Sequence, residues 1–433
     1  MKNVKNLISL LSIVAVSFTA CKKNEGASSS FGNRSTTAAD YSQSSLPVVA
    51  VSGDITSNVT WTAGNVYEIS GVVTVRNGAT LTIQPGTYIK ASVNTPGIQN
   101  GVLVIAKNGS INAVGTADHP IVFTSRNLLD NNVGTKGAPG DFGGIIILGN
   151  ATINVGDKLI EGLANEAKFH YGGNNNNDNR GTIRYVRIEY AGFQLAPGIG
   201  ISSLTLGAVG RGTTIDHIQV SYSLMDGFGF FGGNVDAYNL VALASYDDQF
   251  DFNNGYTGAI SDAVAIADKN SGHSTSSGNS DSNGIESDNN YPAEDPTFSL
   301  TPKTQPVLIN VNIFGTENTN GILGLGYRNG VRIRRGSESI FSYVIVSGYN
   351  TAIALDADAN ASLSDISTTS VHGFTNSITA AVGAYVDGGG NVLTVNAVSA
   401  NSFSVPQPWY NTPGSPSTIT LPGWSTGWTK LVY

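Results

Sequence analysis

Cysteine is almost absent. Cys21 is the one cysteine in 433 residues, so no disulfide can close within the chain. Charge is sparse as well: Asp, Glu, Lys and Arg make up 12% of the residues, and the balance is −8. Removing an N-terminal leader that carries Lys2 and Lys5 takes −8 to −10. A net acidic surface repels phosphate backbones, which excludes nucleic acid as a partner. Beyond residue 20 no apolar run approaches the length of a membrane span, and no long stretch carries a helical hydrophobic period. The histidines, His119, His170, His217, His273 and His372, are scattered without metal-ligand spacing. Segment 227–233 is glycine-rich, but it does not join a strand to a helix, so it is no phosphate loop.

What remains is glycine, asparagine and short β-branched runs, the composition of an all-β chain with many turns. The runs repeat. Asp226-Gly-Phe-Gly-Phe-Phe-Gly-Gly lies 22 residues before Asp248-Gln-Phe-Asp-Phe-Asn-Asn-Gly. The pattern returns at Asn283 after a polar insertion over 268–282, again at Asn329, and weakly at Thr351. A period of two turns Phe228 and Phe230 inward. It stacks Phe250/Phe252, Ile285/Ser287, Val331/Ile333 and Ile353/Leu355 beneath them and turns Gln249 outward. So short a unit cannot bury its apolar face alone. Stacked coils about 4.8 Å apart can, because each supplies the hydrogen-bond partners of the next. The period of about 22 fits a right-handed parallel β-helix. A β-propeller needs repeats of about 40, and sandwich hairpins would not return the same residues to one column. Segments 71–86 and 102–115 alternate in the same way. A single β-helix domain over 46–433 is expected, with capping segments near 46–70 and 405–433. Trp409, Tyr410, Trp424 and Trp428 are expected to cap an end rather than stack on sugars.

The N-terminus has the form of a targeting signal. Lys2 and Lys5 precede an apolar run from Leu7 to Val16 that is too short to span a bilayer. Ser17-Phe18-Thr19-Ala20-Cys21 resembles a lipobox, although Phe18 stands where leucine is usual. The resemblance implies cleavage after residue 20 and lipid on Cys21. Residues 21–45, rich in Ser, Thr, Ala, Gly and Asn, would then form a flexible tether. The expected location is the bacterial outer membrane, lipid-anchored, facing the periplasm or the cell surface.

Several stretches resemble a Bacteroidetes-type family of β-helix lipoproteins with pectin-lyase-like architecture. They are Asn77-Gly-Ala-Thr-Leu-Thr-Ile-Gln-Pro-Gly-Thr, His119-Pro-Ile-Val-Phe-Thr-Ser, Ile183-Arg-Tyr-Val-Arg-Ile-Glu-Tyr-Ala-Gly and Asn283-Gly-Ile-Glu-Ser-Asp-Asn. The resemblance implies the β-helix fold and the envelope location, and says little about chemistry.

The acidic belt between Asp226 and Asp295 is the most informative polar region. The repeat register puts Asp251 and Glu286 in one outward column with Arg332 next. The neighbouring column holds Asn253, Asp288 and Arg334. Stacked carboxylates oppose joint ionisation unless a cation or arginine compensates. Two outcomes are open: calcium held by Asp251, Glu286 and Asp288, or a surface ladder in which Arg332 and Arg334 pair with the acids. Binding to glycans, matrix or envelope proteins, without catalysis, is the expected function. The alternative is a polysaccharide lyase or glycoside hydrolase, with a carboxylate pair drawn from Asp247, Asp248, Asp251 and Glu286 and with Arg332 beside it. Gly272-His273 and Arg332-Ile333-Arg334 resemble pieces of polygalacturonase motifs, but their spacings do not match. Asp226, Asp248 and Asp247 fall at turns, where Asp is expected to bond the local backbone.

Overall fold

The computed structural model describes residues 45–92, 101–132, 134–196, 199–268, 275–276, 279–315, 327–380, 385–395, 421–431 and 433. The leader, Cys21, the tether up to residue 44, His273, Trp409 and Tyr410 lie outside the described residues.

Successive short strands wind into a right-handed parallel β-helix with three faces. Every pairing in the large sheet is parallel. The first face stacks residues 72–75, Val102–Ile105, Gly144–Leu148, Leu204–Val209, Phe228–Gly233, Phe250–Asn253, Ile285–Asp288, Asn329–Arg334 and 351–355. The second runs from Val59–Trp61 through Thr80–Ile83 and Ser110–Val114 to Asp365–Ser367 and Val386–Gly389. The third runs from residues 66–69 through Tyr88–Ala91 and Ile121–Thr124 to Val392–Val395.

One residue makes the corner between the second and third faces in coil after coil. Tyr185, His217, Asn239, Asp262, Asn310, Tyr343 and Thr368 all adopt positive φ, between 47° and 59°. A single left-handed residue swings the chain to the next face without a loop. Asn and Asp tolerate that region best. Stacking helps hold Tyr185 and His217, whose rings lie 4.3 Å apart.

The interior is a set of columns. Phe228 stacks on Phe250 at 5.0 Å and Phe230 on Phe252 at 5.2 Å. All four rings are buried, and so are Ile285, Val331, Ile333, Ile353 and Leu355 beneath them. Ser287 fills the remaining inward place, paired with Phe252 and Ile333. This is the phase expected from the repeats.

Three expectations need correction. Gln249 is fully buried instead of outward. It sits in the turn before the Phe250 strand, where its amide donates to the Ser245 carbonyl and the Tyr327 hydroxyl, each at 3.4 Å. Residues 46–70 are rungs rather than a separate cap: Val48–Ile55 pairs in parallel with Val66–Val75. The described part of the C-terminal segment does not close an end. It lies along the third face, where Leu421, Trp424, Leu431 and Tyr433 pack over Leu243, Val264 and Ile266. Trp428 is buried there against Tyr185 and His217. Gln219, buried on the outer side of that face, accepts the Lys430 N–H at 2.8 Å and donates to its carbonyl. This strap explains why strands such as Ala237–Leu243 end in four consecutive buried residues instead of alternating.

Phe250→Ala should cost about 3–5 kcal/mol in denaturant unfolding, because it empties a ring site that cannot collapse. Gln249→Asp should cost about 1–3 kcal/mol by the same measurement, since it breaks two buried hydrogen bonds and buries a charge. A neutral Gln249→Asp would mean that this turn is open to water.

Candidate binding cleft

On the outward side of the first face, Gly229 pairs with Asp251, Asp251 with Glu286, and Glu286 with Arg332. Two residues further along, Phe231 pairs with Asn253, and Asp288 with Arg334. The candidate residues therefore share one face at successive coils. They are not a surface ladder, however. Asp251 is 8% exposed, Glu286 7% and Arg332 9%, because excursions of the chain between coils build walls over them.

Residues 158–171 form one wall, with Lys158–Leu159 antiparallel to His170–Tyr171. The other wall leaves the first face after Asp288 and carries Tyr291 and Glu294. Lys158 ties the walls together: its ammonium meets Glu294 at 2.5 Å and the Asn254 side-chain oxygen at 3.2 Å, and it lies 5.3 Å from the Tyr291 ring centre. Deeper, Asn154 donates to Asn289 and Asn290 and accepts from Asn290 at 2.9 Å, a buried amide cluster that fixes the spacing. Between the walls is a cleft of about 200 Å³, lined among others by Tyr171, Met225, Phe231, Asp251, Asn253 and Tyr291. Gly229 keeps its floor low, since a Cβ there would come within 2.4 Å of the Ser202 hydroxyl.

The acids divide into two groups. Glu286 and Asp288 are balanced by arginine. Arg334 binds Glu286 and, at 2.7 Å, Asp288, and Arg335 binds Asp288 at 2.7 Å. Arg332 reaches Glu286 at 3.4 Å, Asp281 at 2.8 Å and Asp356 at 2.8 Å. Burial opposes the charge on Arg334, but Glu286 and Asp288 outweigh it and raise its pKa. The calcium expected on Asp251, Glu286 and Asp288 would have to displace these guanidinium groups from two of its three ligands.

The second group is Asp226, Asp247 and Asp248, with Asp251 beside them in the cleft lining. Oxygens of the first three lie within 4.8 Å of one another. Burial, and after it the Asp247 carboxylate, push Asp226 up to about 8. Asp248 is raised well above the usual range by burial and then by Glu286 and Asp247. Asp251 is raised by burial and then by Asp226, Asp288 and Glu286.

Asp226 and Asp248 do bond backbone, but not locally. Asp226 Oδ1 accepts the N–H of Asp248, 22 residues on, at 3.2 Å. Asp248 Oδ1 accepts the N–H of Asn283, 35 residues on, at 2.7 Å. Asn283 Oδ1 in turn accepts the Asn329 amide at 2.9 Å. The corner thus carries a ladder of Asp and Asn running from coil to coil. Sequence reasoning named the floor of the cleft and missed its walls: Asn154, Lys158, Tyr171, Tyr291 and Glu294 belong to no repeat. Of the Asn174–Asn177 run, Asn175 and Asn176 serve a turn, accepting the N–H groups of Asn177 and Thr152. His119, His170, His217 and His372 lie apart from the cleft lining.

The family described as pectate-lyase like beta helix domain matches residues 53–429. No curated protein matches the sequence. Among solved structures the chain is similar to the Dettilon tailspike protein (gp208), at 13% identity and a TM-score of 0.29, covering 82% of this chain and 62% of that one.

Two outcomes test this account. Arg334→Ala should destabilise by about 1–3 kcal/mol, because it takes one guanidinium from two buried carboxylates and leaves Arg332 alone on Glu286 and Arg335 alone on Asp288; a neutral result would mean that water reaches them. Asp226 titrates above its unfolded value, so between the ordinary carboxylate range and pH 8 the folded state holds a proton that the unfolded state has lost. In chelating buffer its contribution to stability therefore falls as pH rises through that window. Asp226→Asn should flatten that part of the profile of melting temperature against pH and should melt higher than wild type at pH 8.

Proposed function

This chain belongs to the family of pectate-lyase like beta helix domains, and we propose that it binds a glycan in the cleft over its first face without cleaving it, held at the bacterial outer membrane by lipid on Cys21. The observation that carries the reading is the cleft's lining. Tyr291, 41% exposed, offers ring surface beside Asn253, Asn254 and Asp251, an aromatic face next to fixed polar groups that suits a sugar ring. A volume of about 200 Å³ accommodates roughly one sugar residue in a longer chain. Because the walls are joined by Lys158 and Asn154, the site is preformed and little ordering opposes binding. A protein fixed to a membrane by several acyl chains stays attached, which suits a role in holding polysaccharide or a glycan-bearing partner at the envelope.

Hydrolysis is the second reading, favoured by one observation. A carboxyl raised to about 8 stands beside Asp247, with oxygens within 4.8 Å. An upper bound of 4.8 Å between oxygens is compatible with the roughly 5 Å separation of retaining glycosidases and short of the roughly 6.5–9.5 Å of inverting ones.

The full-length protein should retain particular glycans on an array, and Tyr291→Ala should lose that retention while keeping its melting temperature. Retention unaffected by Tyr291→Ala would remove the cleft as the site. Incubating the retained glycan with the protein should leave the count of reducing ends and of unsaturated products unchanged. A rise abolished by Asp226→Asn would replace binding with hydrolysis. For the anchor, wild type should partition with membranes and Cys21→Ala should not; equal partition would exclude lipid on Cys21.

A further inference from the structure

We propose that Lys158 and Asn254 join their side chains in an isopeptide bond, with release of ammonia, and that Glu294 catalyses the step. The modification needs no glycan and stands apart from the binding reading. Three elements bring the groups together. Lys158 and Tyr171 are paired across the antiparallel hairpin of one wall, so their side chains leave on the same side. Asn254 follows the first-face strand Phe250–Asn253, and its N–H donates to the Asn289 carbonyl at 3.1 Å. Glu294 comes from the wall after Asp288, where its carboxylate accepts the Tyr291 N–H at 3.3 Å.

Every group that amide exchange requires is in place. Lys158 Nζ meets Glu294 Oε1 at 2.5 Å and Asn254 Oδ1 at 3.2 Å. With a carbonyl bond of about 1.23 Å, Nζ stands within about 4.4 Å of the Asn254 side-chain carbon. A small rotation of the lysine stem brings it to the roughly 3–3.5 Å of a near-attack geometry. The Asn254 amide nitrogen donates to Glu294 Oε2 at 3.2 Å. One carboxylate therefore holds the nucleophile on one oxygen and the leaving group on the other. The Tyr171 hydroxyl donates to Asn254 Oδ1 at 3.3 Å. Burial pushes that hydroxyl well above its ordinary range, so it keeps its proton. It can then stabilise the negative charge that develops on Oδ1 during attack. Asn254 is 1% exposed, which keeps bulk water, the competing nucleophile, away from its carbonyl. An ion pair of Lys158 with Glu294 alone would leave the orientation of this amide without a role.

The step balances without a further reactant. Glu294 takes one proton from the Lys158 ammonium, and the freed amine adds to the Asn254 side-chain carbon. As the adduct collapses, Glu294 passes that proton to the amide nitrogen and takes a second from Nζ. The bond from carbon to the amide nitrogen breaks and ammonia leaves, carrying the second proton away as ammonium. A primary carboxamide and an ammonium become a secondary amide and an ammonium ion. The new bond would join a cleft wall to the coil beneath it, between residues 96 apart in the chain. With one cysteine, the chain has no disulfide to do this.

The test is mass spectrometry of the full-length protein, denatured and digested. Its major form should contain one branched peptide joining Lys158 to Asn254, lighter by about 17 Da, one ammonia, than the two separate peptides. Fragmentation should place the junction at those two residues. Lys158→Arg, which keeps the charge beside Glu294, should give unbranched peptides of full mass and should melt lower than wild type. Glu294→Gln should fold and leave most chains unlinked. Separate peptides of full mass as the major wild-type form would overturn the proposal, and this readout needs no variant. So would a branch from Lys158 to Glu294, lighter by about 18 Da, one water. A loss of ammonia that persists in Lys158→Arg would overturn it too, since it would mark ring closure of Asn254 on the Gly255 nitrogen instead. An undiminished yield of the branched peptide in Glu294→Gln would overturn the role given to that carboxylate.

Discussion

Parallel hydrogen bonding from coil to coil is the constraint on which the rest of this protein depends. It fixes register, so equivalent residues of successive coils lie about 4.8 Å apart along a column. Inside, that spacing suits aromatic and branched side chains. Phe228 over Phe250 and Phe230 over Phe252 stack at 5.0 and 5.2 Å, and pairs of this kind add about 0.5–1.5 kcal/mol beyond their area. Outside, the same spacing brings together whatever the repeats carry, including like charges.

The polar part of the first face is two answers to that crowding. Where the next coil supplies arginine, as at Glu286 with Arg332 and Arg334, the acids are ion-paired, although burial and Asp288 still hold Glu286 above its usual range. Where it supplies more acid, as at Asp226 and Asp248 beside Asp247, burial and repulsion between carboxylates hold Asp226 and Asp248 above their usual range. The two groups lie side by side in the cleft, but among the described residues neither Asp226 nor Asp248 of the second has an ion-pair partner. Such strain persists because the Asp–Asn ladder also satisfies backbone N–H groups of the neighbouring coils. Removing it would leave those donors unpaired.

The coils themselves are stiff, so shape at the surface comes from the chain that leaves them. The hairpin at 158–171 and the loop after Asp288 make a cleft out of what would otherwise be a flat sheet. They are locked by Lys158 to Glu294 and by the Asn154 cluster. The C-terminal strap performs a similar task on the third face, where it covers outward Leu243 and Val264 and is fastened through Gln219.

What the sequence by itself determined is the repeat and its phase. An offset of 22 residues between Asp226 and Asp248 and a period of two within each unit are enough to place Phe250 inward, Asp251 outward and Glu286 beside it, because parallel pairing allows no other alignment without exposing the phenyl rings. Tertiary structure alone decided how deep those residues lie and what faces them. Gln249 is buried by Tyr327, a residue 78 positions away. Asp251 is enclosed by Tyr171 and Tyr291, and Trp428 lies on a side of the stack rather than at its end. None of these partners recurs with the period, since each comes from a single insertion or terminus. Local periodicity encodes which way a side chain points along a regular strand. Which irregular segment covers it depends on where that one segment packs, and nothing in the repeat carries that information.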